Sequence, residues 1–225
     1  MNQCFSIALD GPSGAGKSTV AKALAQRLGA AYLDTGAMYR AVALYVLRRQ
    51  ADPDAPREVI PLLDHIQIEI LFTEAGQRVM LNGEDVSASI RENQVSAAAS
   101  KVAAIPEVRN RLVAMQRTMA EARSVVMDGR DIGTHVLPNA TLKVYLTASA
   151  QERARRRFEE LQQKGQDVDF DTIQRQMLER DYNDSHRAAS PLCRAEDAVK
   201  LDSTGMDINQ VVEAIAALLE EKTRG

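Results

Sequence analysis

A three-layer α/β fold, with a parallel β-sheet covered by helices on both faces, is what this sequence predicts. Three observations lead there. Five short apolar runs bounded by turn residues alternate with segments of helical period. Alternation of that kind closes into a parallel sheet with helical crossovers. One stretch, residues 62–99, breaks the rhythm with a period-2 pattern and reads as a small antiparallel insert.

The elements follow in order. Phe5 to Leu9 is a short apolar run ending at Asp10-Gly11-Pro12, a buried strand. From Lys17, the residues Val20, Ala21, Leu24, Ala25 and Leu28 recur at helical spacing, and Gly29 stops the helix. Ala31-Tyr32-Leu33 is a second strand. Asp34-Thr35-Gly36 opens a helix to about Arg49, with Thr35 as a candidate cap. Pro53 and Pro56 punctuate a turn before a short helix ending near Asp64. Ile66, Ile68, Ile70 and Phe72 alternate with Gln67, Glu69 and Leu71. Glu74 to Gln77 is then a turn, and Arg78 to Leu81 runs back as a hairpin. Alanine-rich helices flank Pro106. Ser124 to Asp128 and Leu142 to Leu146 are the third and fourth core strands. Ser149 caps an arginine-rich helix, Gly165 to Asp171 is a loop, and a second charged helix runs to about Arg187. Ala198 to Asp202 is the fifth strand. A last helix carries Ile208, Val211, Val212, Ile215, Leu218 and Leu219 on one face.

Bulk properties narrow the function. The 225 residues, 45% hydrophobic and 26% charged, suffice for a buried core. No apolar run approaches a membrane span, and no secretory signal is visible at Met1 to Cys4, so a cytoplasmic location is the expectation. A net charge of −3 argues against a general nucleic-acid or anionic-membrane surface. Cys4 and Cys193 build neither a disulfide framework nor a zinc cluster. His65, His135 and His186 lack metal or triad spacing. No heptad seam demands a partner, and a monomer is expected.

The strongest chemical signal is Gly11-Pro12-Ser13-Gly14-Ala15-Gly16-Lys17-Ser18, which fits G-x-x-x-x-G-K-[ST] without a mismatch and is followed by Thr19. Glycines let successive backbone N–H groups turn toward phosphate oxygens, and the following helix adds its positive end. Lys17 reaches the β- and γ-phosphates, and Ser18 offers a hydroxyl to Mg²⁺. The loop lies between a strand and a helix, as the mechanism needs. It identifies a bound nucleoside triphosphate, but not the reaction. Val125 to Asp128 supplies a strand ending in an acid suited to a place near the metal. No N-K-x-D guanine-reading sequence is present, which weighs against a GTPase switch.

Three further features point to a second anionic substrate. Asp34-Thr35-Gly36-Ala37-Met38-Tyr39-Arg40 follows the second strand. Asp128-Gly129-Arg130-Asp131-Ile132-Gly133-Thr134 is a polar loop at a strand's carboxyl end, the edge at which open α/β sheets bind ligands. Arg180, Asp184 and Arg187 are spaced to share one helical face, if their segment is helical. Taken alone, that last set reads equally as a surface salt-bridge ladder, Arg109 as a solvated charge, and Arg153 to Arg157 as a solvated face.

These four motifs together, in this order and spacing, closely resemble bacterial cytidylate kinases of the nucleoside monophosphate kinase family of P-loop kinases. The resemblance spans essentially the whole chain. It implies a P-loop three-layer fold with a five-stranded parallel sheet, a small antiparallel monophosphate-binding insert at 62–99, and a core at 1–61 and 100–225 that includes a helical lid at about 153–180. It implies transfer of the γ-phosphoryl group of ATP to CMP or dCMP with Mg²⁺. Under it, Ser100, Arg109 and Asp131 contact cytosine, and Arg40, Arg130 and Arg187 surround the acceptor phosphate, with Thr35 nearby. Arg180 and Asp184 reach the ribose or the phosphates. Lys17, Arg130 and Arg187 are the catalytic set, and Arg153, Arg156 and Arg157 belong to the lid. One departure is Ser18, where several relatives carry glycine.

The chemistry of the residues agrees with cytosine. A carboxylate such as Asp131 accepts from the exocyclic N4 amino group, whereas uracil presents an acceptor there. Arg109 and Ser100 can donate to N3 or O2. Two rival readings stand beside this one: a kinase for another nucleoside monophosphate, and a P-loop ATPase that acts on a partner.

Overall fold

The structure, a computed structural model, describes residues 4–73, 76–163 and 165–224. Its larger sheet has five strands in the order β2-β6-β1-β7-β8. They are β1 (Ser6–Asp10), β2 (Ala31–Asp34), β6 (Val125–Gly129), β7 (Leu142–Thr147) and β8 (Val199–Asp202). Strand β1 pairs in parallel with β6 and β7, and β7 with β8. In β1 the residues Ile7, Ala8 and Leu9 are fully buried, and so are Val126 and Met127 in β6. Such continuous apolar runs are what a sheet covered on both faces requires.

By its contacts the chain divides into two compact units, residues 1–30 with 124–225, and residues 31–123. In the first unit α1 (Lys17–Leu28) ends on Gly29, whose left-handed backbone (φ 63°) lets its N–H reach the carbonyls of Ala25 and Gln26. Helix α6 (Ala150–Gln163) starts at Ser149, whose Oγ accepts from the Glu152 N–H at 3.2 Å, as the sequence predicts. Helix α7 (Phe170–His186) starts earlier than expected. Asp169 caps it by accepting from Thr172 N–H at 2.8 Å, so the expected loop to Asp171 is shorter. Helix α8 (Ile208–Arg224) buries Val211, Val212, Ile215 and Leu219, but Ile208 stays exposed, because the first turn precedes the packed stripe.

In the second unit α2 (Thr35–Arg48) packs on α4 (Asn93–Val102), and α5 (Pro106–Glu121) begins with proline at its first position. Between them lie α3 (Pro56–Val59), a 3₁₀ turn (Ile60–His65), and an antiparallel sheet β3-β4-β5. Its strands are β3 (Ile68–Thr73), β4 (Gly76–Leu81) and β5 (Glu84–Asp85). The pair Ile70–Val79 faces inward, as period-2 alternation predicts. Phe72, expected on the same face, is exposed, and Arg123 lies over its ring at 5.2 Å. Strand β4 already begins at Gly76. The expected turn residues Glu74 and Ala75 lie outside the described residues.

Candidate active site

The loop after β1 has the conformation its glycines allow. Gly11 approaches β7 so closely that a Cβ there would lie 1.9 Å from the Leu146 carbonyl oxygen. Gly14 and Gly16 have φ of 71° and 85°, and Gly16 is the residue on which α1 starts, without a side-chain cap. The helix end thus presents backbone N–H groups and its positive dipole to the loop. Lys17 is 5% exposed, and its Nζ donates to the Pro12 carbonyl at 2.7 Å. Burial first, and then the charges of Arg130 and Arg180, push its pKa well down, against the pull of Asp128 and Asp10. Ser18 and Thr19 are exposed on the first turn, and the Ser18 hydroxyl donates to Asp128 Oδ2 at 2.8 Å.

The segment after β6 is held from below by a carboxylate of β1. Asp10, the last residue of β1, accepts from the N–H groups of Ile132 (2.8 Å) and Gly133 (2.7 Å). These open a single π-helical turn, Ile132–Val136, at whose entrance Arg130 and Asp131 stand. Asp10 is 5% exposed, and burial raises its pKa to about 6, against the two backbone donors, with Asp131 adding to the rise. Gly133 fits here because a Cβ would crowd Lys143 at 3.1 Å and Asp10 at 3.4 Å.

The charged groups expected on the acceptor side are ion-paired. Arg130 Nε donates to Asp184 Oδ2 at 2.7 Å, and Arg187 Nη2 to Asp131 Oδ1 at 3.3 Å. Burial alone would raise the Asp184 carboxyl, but Arg130, Arg180 and Arg187 outweigh it and hold it below the usual carboxylate range. The predicted shared helical face needs correction. Arg180 and Asp184 lie on α7, but Arg187 is its C-cap in extended backbone (ψ 143°), and it also donates to the Ser190 carbonyl. It reaches Asp131 from beyond the helix end. Nor is the set a surface ladder, since Asp184 is 6% exposed.

The three arginines assigned to α6 have different surroundings. Arg153 is buried and donates to the carbonyls of Ala148 (3.1 Å) and Ser13 (2.8 Å), and it pairs with Asp181 of α7. Arg156 donates to the Ser203 carbonyl and pairs with Glu152, and its Nη1 lies 3.8 Å from where a Gly16 Cβ would stand. Arg157 pairs with Glu160 at the surface.

In the second unit, the cap of α2 is Asp34 rather than Thr35. Asp34 Oδ1 accepts from Ala37 N–H at 2.9 Å, because its extended backbone precedes the helix, whereas Thr35 is already helical and is buried. Asp34 also holds Arg40 at 2.7 Å, and its N–H donates to Gln77 Oε1. The Arg40 Nε is buried without a hydrogen-bond partner among the described residues. Arg109, 2% exposed on α5, donates to the Ala103 carbonyl at 3.3 Å and stacks over the Tyr39 ring at 5.6 Å. It is therefore no solvated charge. Ser100 is half-buried on α4.

Sequence reasoning missed Asp10 and Asp181, the Asp128–Ser18 bond, and the Tyr39–Arg109 stack. Asp10 directly precedes the phosphate-loop motif and Asp181 follows Arg180, and for the first a strand-end acid before a glycine turn was the available signal. Among the described residues no cluster of three or more His, Cys, Asp or Glu side chains could hold a metal ion. A hydroxyl beside one carboxylate instead suits Mg²⁺, which keeps most of its waters and takes its other ligands from phosphates.

Comparison with known proteins fits this geometry. The family model described as "Cytidylate kinase" matches residues 7–221. A cytidylate kinase of Caldicellulosiruptor bescii is 51% identical over 214 residues, 95% of each chain. One of Streptococcus pneumoniae is 48% identical over 217 residues, 96% of this chain and 97% of that one. A solved structure of an uncharacterized protein from Eubacterium ventriosum covers 97% of this chain and 99% of its own at a TM-score of 0.56 and 15% identity, a likeness of fold alone. With a family model across nearly the full length and relatives at about half identity, the chain belongs to the cytidylate kinase family.

Proposed function

We propose that this protein transfers the γ-phosphoryl group of ATP to CMP or dCMP, giving ADP and CDP or dCDP, by direct in-line transfer without a covalent intermediate. The observation that carries the reading is that the triphosphate loop meets an acceptor motif in one bond, from the Ser18 hydroxyl to Asp128 Oδ2 at 2.8 Å, two residues before Arg130, which Asp184 holds at 2.7 Å. A site that transfers a phosphoryl group needs alignment and charge neutralisation of this kind and little covalent help.

In this reading, the loop Gly11 to Thr19 holds the ATP phosphates, through the backbone N–H groups from Gly14 onward, since Pro12 has none and that of Ser13 is taken by Asp181. Lys17 leaves the Pro12 carbonyl for the β- and γ-phosphates. Ser18 and Asp128 would hold Mg²⁺, which would neutralise phosphate charge. Arg130 and Arg187 stabilise the transferring group and the acceptor phosphate. Arg40, in the second unit, is likewise assigned to the acceptor phosphate, an oxygen of which would satisfy its buried Nε, which has no hydrogen-bond partner among the described residues. Asp131 accepts from cytosine N4, with Arg109 and Ser100 as donors to the base and Thr35 nearby. Arg180 and Asp184 serve the ribose or the phosphates. Residues 62–99 form the monophosphate-binding insert, and 153–180 the lid that excludes water. The protein acts as a cytoplasmic monomer. Among the described residues no helix is long and apolar enough to cross a membrane.

The direct test is nucleoside diphosphate formation from ATP and Mg²⁺ with CMP, dCMP, UMP, AMP and GMP in parallel. CMP and dCMP are expected to dominate. Absence of CDP, or a preference for AMP, would overturn the assignment.

A further inference from the structure

Helix α7 carries, next to Arg180, an acid, Asp181, that the proposed reaction leaves without work. Its surroundings give it some. Asp181 Oδ1 accepts twice from one residue of the phosphate loop, from the Ser13 N–H at 2.9 Å and the Ser13 Oγ at 2.8 Å. Its other oxygen pairs with Arg153 Nη1, and the same nitrogen donates to the Ser13 carbonyl at 2.8 Å. Every polar group of Ser13 is thus held by an ion pair between α6 and α7. Ser13 and Arg153 are each 7% exposed, and Met177 Cε lies 2.4 Å from where a Gly14 Cβ would stand, so the helices close directly on the loop.

One turn further along the same helix, Asp184 holds Arg130, whose charge acts on Lys17. Helix α7 is therefore tied at Asp181 to the loop assigned to ATP and at Asp184 to an arginine assigned to the acceptor. A half-buried carboxylate that accepts two hydrogen bonds and faces a buried arginine is geometrically demanding, and moving it costs several contacts at once. We infer that Asp181 is a positioning residue for phosphoryl transfer: through Ser13 it fixes the register between the phosphate loop and the α7 groups that meet the acceptor. This rests on the proposed kinase reaction and adds a residue to it. Asp181 bonds to Ser13, whereas Lys17 bonds to the Pro12 carbonyl, and the N–H groups from Gly14 onward that would bind ATP lie beyond the residue that it holds. Its loss therefore acts on alignment, where a 1 Å error is costly.

The test uses the full chain with Asp181→Asn, Asp181→Ala, Ser13→Ala and the Ser13→Ala/Asp181→Ala pair. Asp181→Ala is expected to lower kcat for CDP formation by about 30-fold while KM for ATP changes by less than about threefold. Asp181→Asn keeps an oxygen for Ser13 but loses the charge facing Arg153, and it should fall between. Adding Ser13→Ala to Asp181→Ala should cost nothing more, because the hydroxyl has lost its acceptor. Hydrogen exchange of the Ser13 amide, measured without nucleotide, should quicken about tenfold or more in Asp181→Ala and less in Asp181→Asn. Circular dichroism selects the variants that fold, and Asp181→Asn stands in if the alanine does not. An unchanged kcat, a loss carried by KM for ATP, or multiplying losses in the pair would overturn the inference. If wild-type protein makes no CDP, the kinase reading falls. The Ser13 amide then decides the Asp181 clamp by itself, and unchanged exchange overturns it.

Discussion

Two loops leave the carboxyl ends of neighbouring strands in the first unit, and they hold their shape by opposite means. The loop after β1, Gly11 to Ser18, is a backbone device. Its conformation depends on left-handed and close-packed glycines, and its chemistry on N–H groups at the start of α1. The loop after β6, Gly129 to Val136, is a side-chain device. Arg130 and Asp131 are aimed by carboxylate and guanidinium partners on and just beyond α7, and the turn beneath them rests on Asp10. A backbone device tolerates almost no change at its glycines and works for any triphosphate. A side-chain device can be retuned one residue at a time, which suits selectivity for an acceptor.

The sharpest way to break this comparison is at Lys17, a side chain of the first loop on which Arg130 of the second acts. Lys17→Ala removes a cation from the transferring group but no fold-determining contact beyond its bond to Pro12. Turnover should fall by about a thousandfold, the scale for deleting one charge-stabilising group from a transition state. The circular dichroism spectrum should match the wild type. A variant with more than about a tenth of wild-type kcat would show that the backbone alone carries the donor side.

Asp10 belongs to both devices, since it precedes Gly11 and its carboxylate supports the second loop. Its pKa is raised to about 6, so between pH 4 and 6 the folded chain binds a proton that the unfolded chain has released. Stability from this group is therefore highest at the acid end of that window and is lost as pH rises through 6. A rise of this size corresponds to about 3 kcal/mol. Unfolding free energies at pH 4.5 to 7.5 should show this downward slope in wild type and not in Asp10→Asn, which cannot titrate. Parallel curves would mean that Asp10 is ionised throughout and that the two N–H groups fully offset its burial.

The same contrast explains what could be read from the sequence. The phosphate loop was legible residue by residue, because a backbone device writes its requirements as glycines at fixed offsets. The five strands were legible as apolar runs, and the β3–β4 hairpin by its period. The second loop was not legible in that way. Nothing in the spacing of Arg130, Asp131, Asp184 and Arg187 says which carboxylate meets which arginine, and only the family resemblance brought them together. Arg187 shows the limit, since helical spacing put it on a face of α7 although the helix ends one residue before it. Thr35 shows another, because either of two adjacent residues could cap α2 and only backbone geometry selects Asp34. Asp10 and Asp181 act through partners more than a hundred residues away, a separation that no local pattern records.

The smallest predicted effect tests whether the second loop reads the base. Asp131 is 5% exposed and holds Arg187 through Oδ1. In Asp131→Asn an amide of the same shape remains. It can present its oxygen to cytosine N4 or its nitrogen to uracil O4, whereas the carboxylate offers only acceptors. The ratio of kcat/KM for CMP to that for UMP should therefore narrow by about tenfold, or about 1.4 kcal/mol, with KM for ATP changing little. Asp131→Ala should lower CMP use without improving UMP, because it offers uracil no donor and frees Arg187 as well. If Asp131→Asn lowers both substrates by one factor, Asp131 serves only to place Arg187. Selectivity would then belong to Arg109 and Ser100 in the second unit, and the side-chain loop would be an anion device like its neighbour.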